Sequence, residues 1–123
     1  MVHLDYRDSR PIYAQIVDGF REQITGGVLR PGEKLPSVRD LAAQAQVNPN
    51  TMQRALQELE SRGLLQAQRT AGRTVTADDT ALQALRRRRA GTLAAEFLHQ
   101  MQALGLTEAE IETLLRELSL IHI

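Results

Sequence analysis

Apolar residues return every three or four positions along the first half of the chain, then follow a shorter, extended pattern. Ile12, Ile16, Phe20 and Ile24, joined by Tyr13 and Val17, predict an amphipathic helix. Ser9-Arg10-Pro11 is its entry, where proline is tolerated, and Gly26-Gly27 stops it. Val28 to Pro36, punctuated by Pro31-Gly32, reads as an extended connector. Ser37 and Asp40 have the spacing of a capping box, and Val38, Leu41, Ala42 and Ala45 supply the apolar face of a brief second helix that ends before Val47. A third helix opens with Asn48 as N-cap and Pro49 in the first position. Met52, Ala55, Leu56 and Leu59 form its buried stripe, and Gly63 closes it. Leu64 to Gln68 and Arg73 to Thr76 then predict two short strands around a tip at Arg69 to Gly72.

Beyond Asp78-Asp79-Thr80 the character changes. Residues 80–104 are rich in alanine, leucine and arginine and should be helical, with Gly91-Thr92 as the place where an interruption is allowed. Gly105 breaks the pattern. Thr107 and Glu110 make another capping box, followed by a stripe of Ile111, Leu114, Leu115 and Leu118. The expected division is therefore residues 1–77 and residues 78–123. The fold class is mainly α with a small β-hairpin: a winged helix-turn-helix followed by a C-terminal two-helix segment.

Composition removes whole classes of chemistry. The 123 residues suit one domain with an appendage. With no cysteine, there can be no disulfide framework, thiolate zinc site or cysteine nucleophile. His3, His99 and His122 lack partners at ligand spacing, so neither a metal nor any other cofactor is expected. Two tyrosines, two phenylalanines and no tryptophan argue against a single-strand stacking platform. No nucleophile–base pair, paired-carboxylate cleft or phosphate-cradling glycine loop can be assembled, which argues against an enzyme. No apolar run approaches the roughly 18 residues of a membrane span, and Met1 to Arg10 carries charges instead of a signal core. A soluble, cytoplasmic protein without membrane association is the expectation.

On the third helix, Asn50, Gln53, Arg54 and Gln57 cluster opposite the buried stripe. Asn and Gln can pair bidentately with adenine, and Arg can grip guanine or a phosphate. The acids Glu58 and Glu60 come only later, where the helix would be leaving a DNA groove. Any surface helix shows a polar face, so this helix alone does not choose between base reading and simple solvation. Its surroundings favour DNA. Ser37 and Arg39 begin the preceding helix, Arg69 and Arg73 flank the hairpin tip, Gly72 permits close backbone approach, and Arg30 and Lys34 lie in the connector.

The zero formal net charge, 15 basic against 15 acidic side chains, at first counts against a nucleic-acid partner. It is a cancellation of unlike halves. Residues 1–76 hold ten cations against eight acids, net +2, and residues 77–123 hold five against seven, net −2. Binding should accordingly be modest and strongly salt-sensitive.

These residues also resemble a family. Pro11-Ile12-Tyr13-Ala14-Gln15-Ile16, the run Leu29 to Ala42 (LRPGEKLPSVRDLA), Val47 to Leu56 (VNPNTMQRAL) and Leu59 to Leu65 (LESRGLL) look like the GntR family of bacterial transcription regulators, over roughly residues 9–77. The Arg69-Thr70-Ala71-Gly72-Arg73 wing and short tail are similar to its YtrA-type subgroup. The resemblance implies DNA contacts at Arg39, at Asn48, Asn50 and Thr51, at Gln53 and Arg54, and at the wing glycine Gly72. It also implies a repressor, and YtrA-type relatives suggest a transporter operon as target. Pro49 and Gln53 stand where many relatives carry base-reading arginines, so arginine-to-guanine readout should be weaker here and the operator different. The wing lacks the second glycine of larger relatives, with Arg73 near that place.

Residues 78–123 are too few for a separate ligand-binding bundle. Stripes comprising Leu93, Phe97, Met101 and Leu104, then Ile111, Leu114, Leu115 and Leu118, cannot enclose a core between two helices. A symmetric homodimer that pools them is the simplest resolution, with packing back onto the reader as the competing one. Two readers would then address a palindromic double-stranded operator. A small-molecule effector between the C-terminal helices remains open. Arg86 to Arg89 reads as a solvated face or linker, with DNA-backbone contact as a minority reading. The alternative function is a winged-helix protein-interaction module that binds no DNA.

Overall fold

The computed structural model describes residues 4–69 and 72–122. Its elements run α1 (Ile12–Thr25), α2 (Val38–Ala45), α3 (Pro49–Ser61), β1 (Leu65–Gln68), β2 (Gly72–Val75), α4 (Asp79–Ala103) and α5 (Glu108–His122). Two compact units result, Met1–Arg86 and Arg87–Ile123.

The helix ends follow the chemistry written in the sequence. Ser37 Oγ accepts from the Asp40 amide at 3.1 Å, and Asn48 Oδ1 from the Asn50 amide at 2.8 Å, with Pro49 in the first turn. Such caps stabilise a helix start by about 1 kcal/mol each. Gly63, at φ 76°, lets the chain leave α3 in the left-handed conformation that costs a side chain dearly. The turn between α2 and α3 uses a less expected residue: Gln46 takes φ 57° and closes α2.

The first unit has one core. Ile16, Val17, Phe20 and Ile24 of α1 meet Leu41 and Ala42 of α2 and Met52, Ala55, Leu56 and Leu59 of α3. Leu35, Leu64, Leu65 and Val75 close it from the hairpin side. Each fully buried leucine or isoleucine contributes about 1.5–3 kcal/mol relative to exposure. Gln15 is also buried, and its amide is satisfied by the backbone of Asp5, at 2.8 and 3.0 Å, and by the Arg10 carbonyl. It thereby straps the preceding segment to α1. Nearby, hydrogen bonding from Arg10 holds the Asp8 carboxyl below the usual carboxylate range, and Arg10 also bonds Asp18.

β1 and β2 pair antiparallel, from Leu65 opposite Val75 to Gln68 opposite Gly72. The connector before α2 is more than a link. Lys34 bridges to Thr74 on the free edge of β2, supported by Gly32 N to Val75 O at 2.9 Å, Val75 N to Glu33 O at 2.8 Å and Leu35 N to Arg73 O at 2.9 Å. Pro31-Gly32 therefore turns the chain so that the wing gains a third, very short strand, and β2 is paired on both edges.

α4 is continuous through Gly91 and Thr92, where the sequence allows an interruption. A helical glycine costs only about 0.5–1 kcal/mol, and its neighbours are strong helix formers. The compact unit containing the core runs to Arg86, inside α4. Leu82, 3% exposed, belongs to the core, with Leu85 packed against it, and Arg86 Nε donates to the Thr25 carbonyl at 2.9 Å. That carbonyl lies at the end of α1, where backbone acceptors lack helical partners and a cation is favoured. The first arginine of the run thus fastens α4 to α1.

In the second unit, Thr107 and Glu110 form the reciprocal capping box, Thr107 N to Glu110 Oε1 at 3.1 Å and Glu110 N to Thr107 Oγ1 at 3.2 Å. Ile111 is buried, whereas Leu93, Phe97, Leu114, Leu115 and Leu118 are exposed.

Candidate nucleic-acid interface

The face of α3 turned away from the core can be resolved into three strips. Helical spacing puts Asn50 and Gln57 together at its centre, Gln53 on one flank and Arg54 on the other. The contacts say which flank is which. Glu60, two turns after Gln53 on the same side, bonds Arg73 of β2, so Gln53 lies on the wing side. Arg54 lies with its guanidinium carbon 3.6 Å from the centre of the Tyr13 ring, so it occupies the α1 side.

The side-chain amides of Asn50, Gln53 and Gln57 have no hydrogen-bond partner among the described residues, and no acid precedes Glu58 on α3. Asn48 differs. Its Oδ1 accepts the Asn50 amide at the helix cap, which leaves one lone pair for any further donor. Thr51 is half-buried beside it.

The surrounding cations also separate. Arg39, Lys34, Arg30 and Arg69 are exposed, and their side chains form no ion pair among the described residues. Ser37 caps α2 one turn before Asp40, whose carboxylate is exposed at the same helix start and tempers the positive field there. Arg73 is not a free cation. It is 14% exposed at the side chain, and its guanidinium is bonded to Glu60, itself 28% exposed. That pair fixes the base of the wing to the end of α3, a structural use that its position in the hairpin did not disclose. Gly72 takes φ 77°, a conformation that favours glycine, and a methyl group added to it would meet nothing within 4 Å in the chain. Thr70 and Ala71 of the tip lie outside the described residues.

Sequence spacing gave no signal for three of these partners. Tyr13 looks like one more member of the α1 stripe, Glu60 like a late surface acid, and Lys34 like a loop cation. Each is assigned only by a contact from a distant segment. Among the described residues there is no cluster of histidine or carboxylate groups able to hold a metal, and no helix long and apolar enough to cross a membrane.

Three helices with α3 displaying an open amide face, followed by a hairpin wing, define a winged helix-turn-helix protein. Residues 12–75 match the family described as bacterial regulatory proteins, gntR family. YhcF of Bacillus subtilis (strain 168), an uncharacterized HTH-type transcriptional regulator, is 37% identical over 106 residues, covering 86% of this chain and 88% of that protein. The HTH-type transcriptional repressor YtrA of the same organism is 44% identical over 72 residues, 58% of this chain and 55% of YtrA. A solved GntR family transcriptional regulator from Listeria monocytogenes shares the fold at a TM-score of 0.80 and 36% identity, over 93% of this chain and 98% of its own. The chain belongs to the GntR family: it is a helix-turn-helix transcription regulator and not an enzyme.

Proposed function

We propose that the protein is a cytoplasmic repressor that binds a palindromic double-stranded operator as a homodimer. The observation that carries this reading is the unpartnered amide strip of Asn50, Gln53 and Gln57, flanked by Arg39, Lys34 and Arg69, whose charges are not neutralised within the chain among the described residues. Donors and acceptors with no internal partner are available to base edges, and the unpaired cations to phosphates. The name of YtrA supports repression.

Two properties of DNA binding test it. Affinity for a mixed-sequence duplex should fall steeply between low and moderate salt, because each neutralised phosphate releases counterions. Arg39→Ala should weaken binding to every duplex alike and reduce the log–log salt slope by about one. A wild-type protein that binds no DNA at low salt would leave the protein-interaction module as the better reading.

The homodimer rests on the second unit. Leu93, Phe97, Leu114, Leu115 and Leu118 are 39–52% exposed there, an apolar surface of a kind that marks association. Met101 is half-buried and Leu104 is exposed at the end of α4. Ile111 is already buried within the chain, and we assign it to the support of that surface and not to the surface itself. Leu115→Glu should convert a species of twice the 13.7 kDa chain mass into one of 13.7 kDa in sedimentation equilibrium. A wild-type protein that sediments at the single-chain mass at micromolar concentration would refute the dimer. Depressions lined by Leu106, Ala109, Glu110, Thr113 and Leu114, and by Leu115, Arg116, Ser119 and Leu120, are open to solvent, and a small-molecule effector there is left as a proposal without a named ligand.

A further inference from the structure

The tyrosine of α1 has a use beyond the core. Its ring is half-buried, packed against the cluster built on Ile16, Val17 and Phe20, and so cannot swing freely. The Arg54 guanidinium stands over it at 3.6 Å, well inside the range of a cation–π interaction. Arginine otherwise has a long, mobile side chain whose immobilisation costs free energy on binding. Stacking removes part of that cost in advance and fixes which side of α3 the charge occupies. It is the side away from Gln53 and Glu60, the flank that approaches α1 and not the centre of the exposed strip.

We propose that Tyr13 is a positioning residue for DNA binding, holding Arg54 at the α1 flank of α3 where it grips a backbone phosphate and does not read a base. The proposal rests on the DNA-binding reading above. Three features support it. A guanidinium drawn back over a ring beside α1 is displaced from the central amides that would meet the groove floor. Its fork remains exposed and suited to a phosphate. Glu58, one turn further on the same flank, is bonded to Arg62 at 3.0 Å and does not compete for Arg54.

The test uses the full chain and two probes: a duplex selected by this protein from a random pool and a mixed-sequence duplex. Arg54→Ala should weaken both to a similar extent, leave their ratio unchanged, and lower the salt slope by about one. Tyr13→Leu keeps an apolar side chain for the core but removes the ring, and should weaken both probes about 2- to 5-fold. In the Arg54→Ala background the same change should have almost no effect. Tyr13→Phe, which keeps the ring, should stay within about twofold of the wild type for both probes. Loss of preference for the selected duplex in Arg54→Ala would overturn the phosphate assignment. Additive effects of Tyr13→Leu and Arg54→Ala, or a Tyr13→Phe defect as large as that of Tyr13→Leu, would overturn the positioning role. If the wild type binds neither probe at low salt, the DNA-binding reading itself fails and the proposal falls with it; the variants separate the two failures whenever the wild type binds.

Discussion

Leu82→Ala should lower the unfolding free energy of the reader by about 2–5 kcal/mol, although the residue lies beyond the strand that completes the wing. Leu82 is 3% exposed and sits in the cluster with the α1, α3 and hairpin residues. Truncation to alanine deletes buried methyl groups and leaves a cavity that the surrounding helices fill only in part. The neighbouring Gln83 is exposed on the same helix, and Gln83→Ala provides the control, with an expected change within about 0.5 kcal/mol. Urea unfolding followed by far-ultraviolet circular dichroism on the full chain measures both. Equal midpoints for the two variants would mean that the opening turns of α4 are an appendage and not part of the core. The Arg86 bond to the end of α1 should make the effect cooperative, since loosening Leu82 also loosens that cap.

Gln53→Ala should weaken binding to a duplex selected by the protein by about 1–3 kcal/mol, or 5- to 150-fold, while leaving mixed-sequence binding nearly unchanged. Gln53 is half-buried on the wing flank of α3, which restricts its rotamers, and its amide has no partner among the described residues. A side chain held in place with an unmet donor and acceptor is suited to the paired edge of adenine. Asn48 is the useful contrast, because its acceptor is already engaged by the helix cap. Asn48→Ala should accordingly act through stability more than through sequence preference. Fluorescence anisotropy on both duplexes separates these effects. An equal loss on the two by Gln53→Ala would make it a backbone contact or a packing residue instead of a reader.

Much of this follows from local patterns. The stripes Ile12–Ile24 and Met52–Leu59, the caps at Ser37 and Asn48, and the glycine ending α3 appear in the structure close to where the spacing puts them. The hairpin strands differ from the sequence reading by one residue at three of their four ends, with Gly72 paired opposite Gln68 instead of lying in the loop. That shift is within what a four-residue strand leaves undetermined, since alternation over so few positions specifies the faces better than the termini. The amide strip of α3 was legible for the same reason as the stripe: a 3.6-residue period defines both faces at once.

The order and type of the elements, the buried face of each helix, and the identity of the residues facing away from the core are all written in the chain, because they depend on interactions within a turn or two. How the exposed charges are used emerges only when the segments meet. Arg73 is paired with Glu60, Arg54 rests on Tyr13, and Arg86 caps α1. In the sequence these three cations are equivalent to Lys34, Arg39 and Arg69, whose side chains stay unpaired among the described residues. The physical reason is distance along the chain. A long, flexible cation finds whichever acceptor or ring folding brings beside it, and no local period records that encounter.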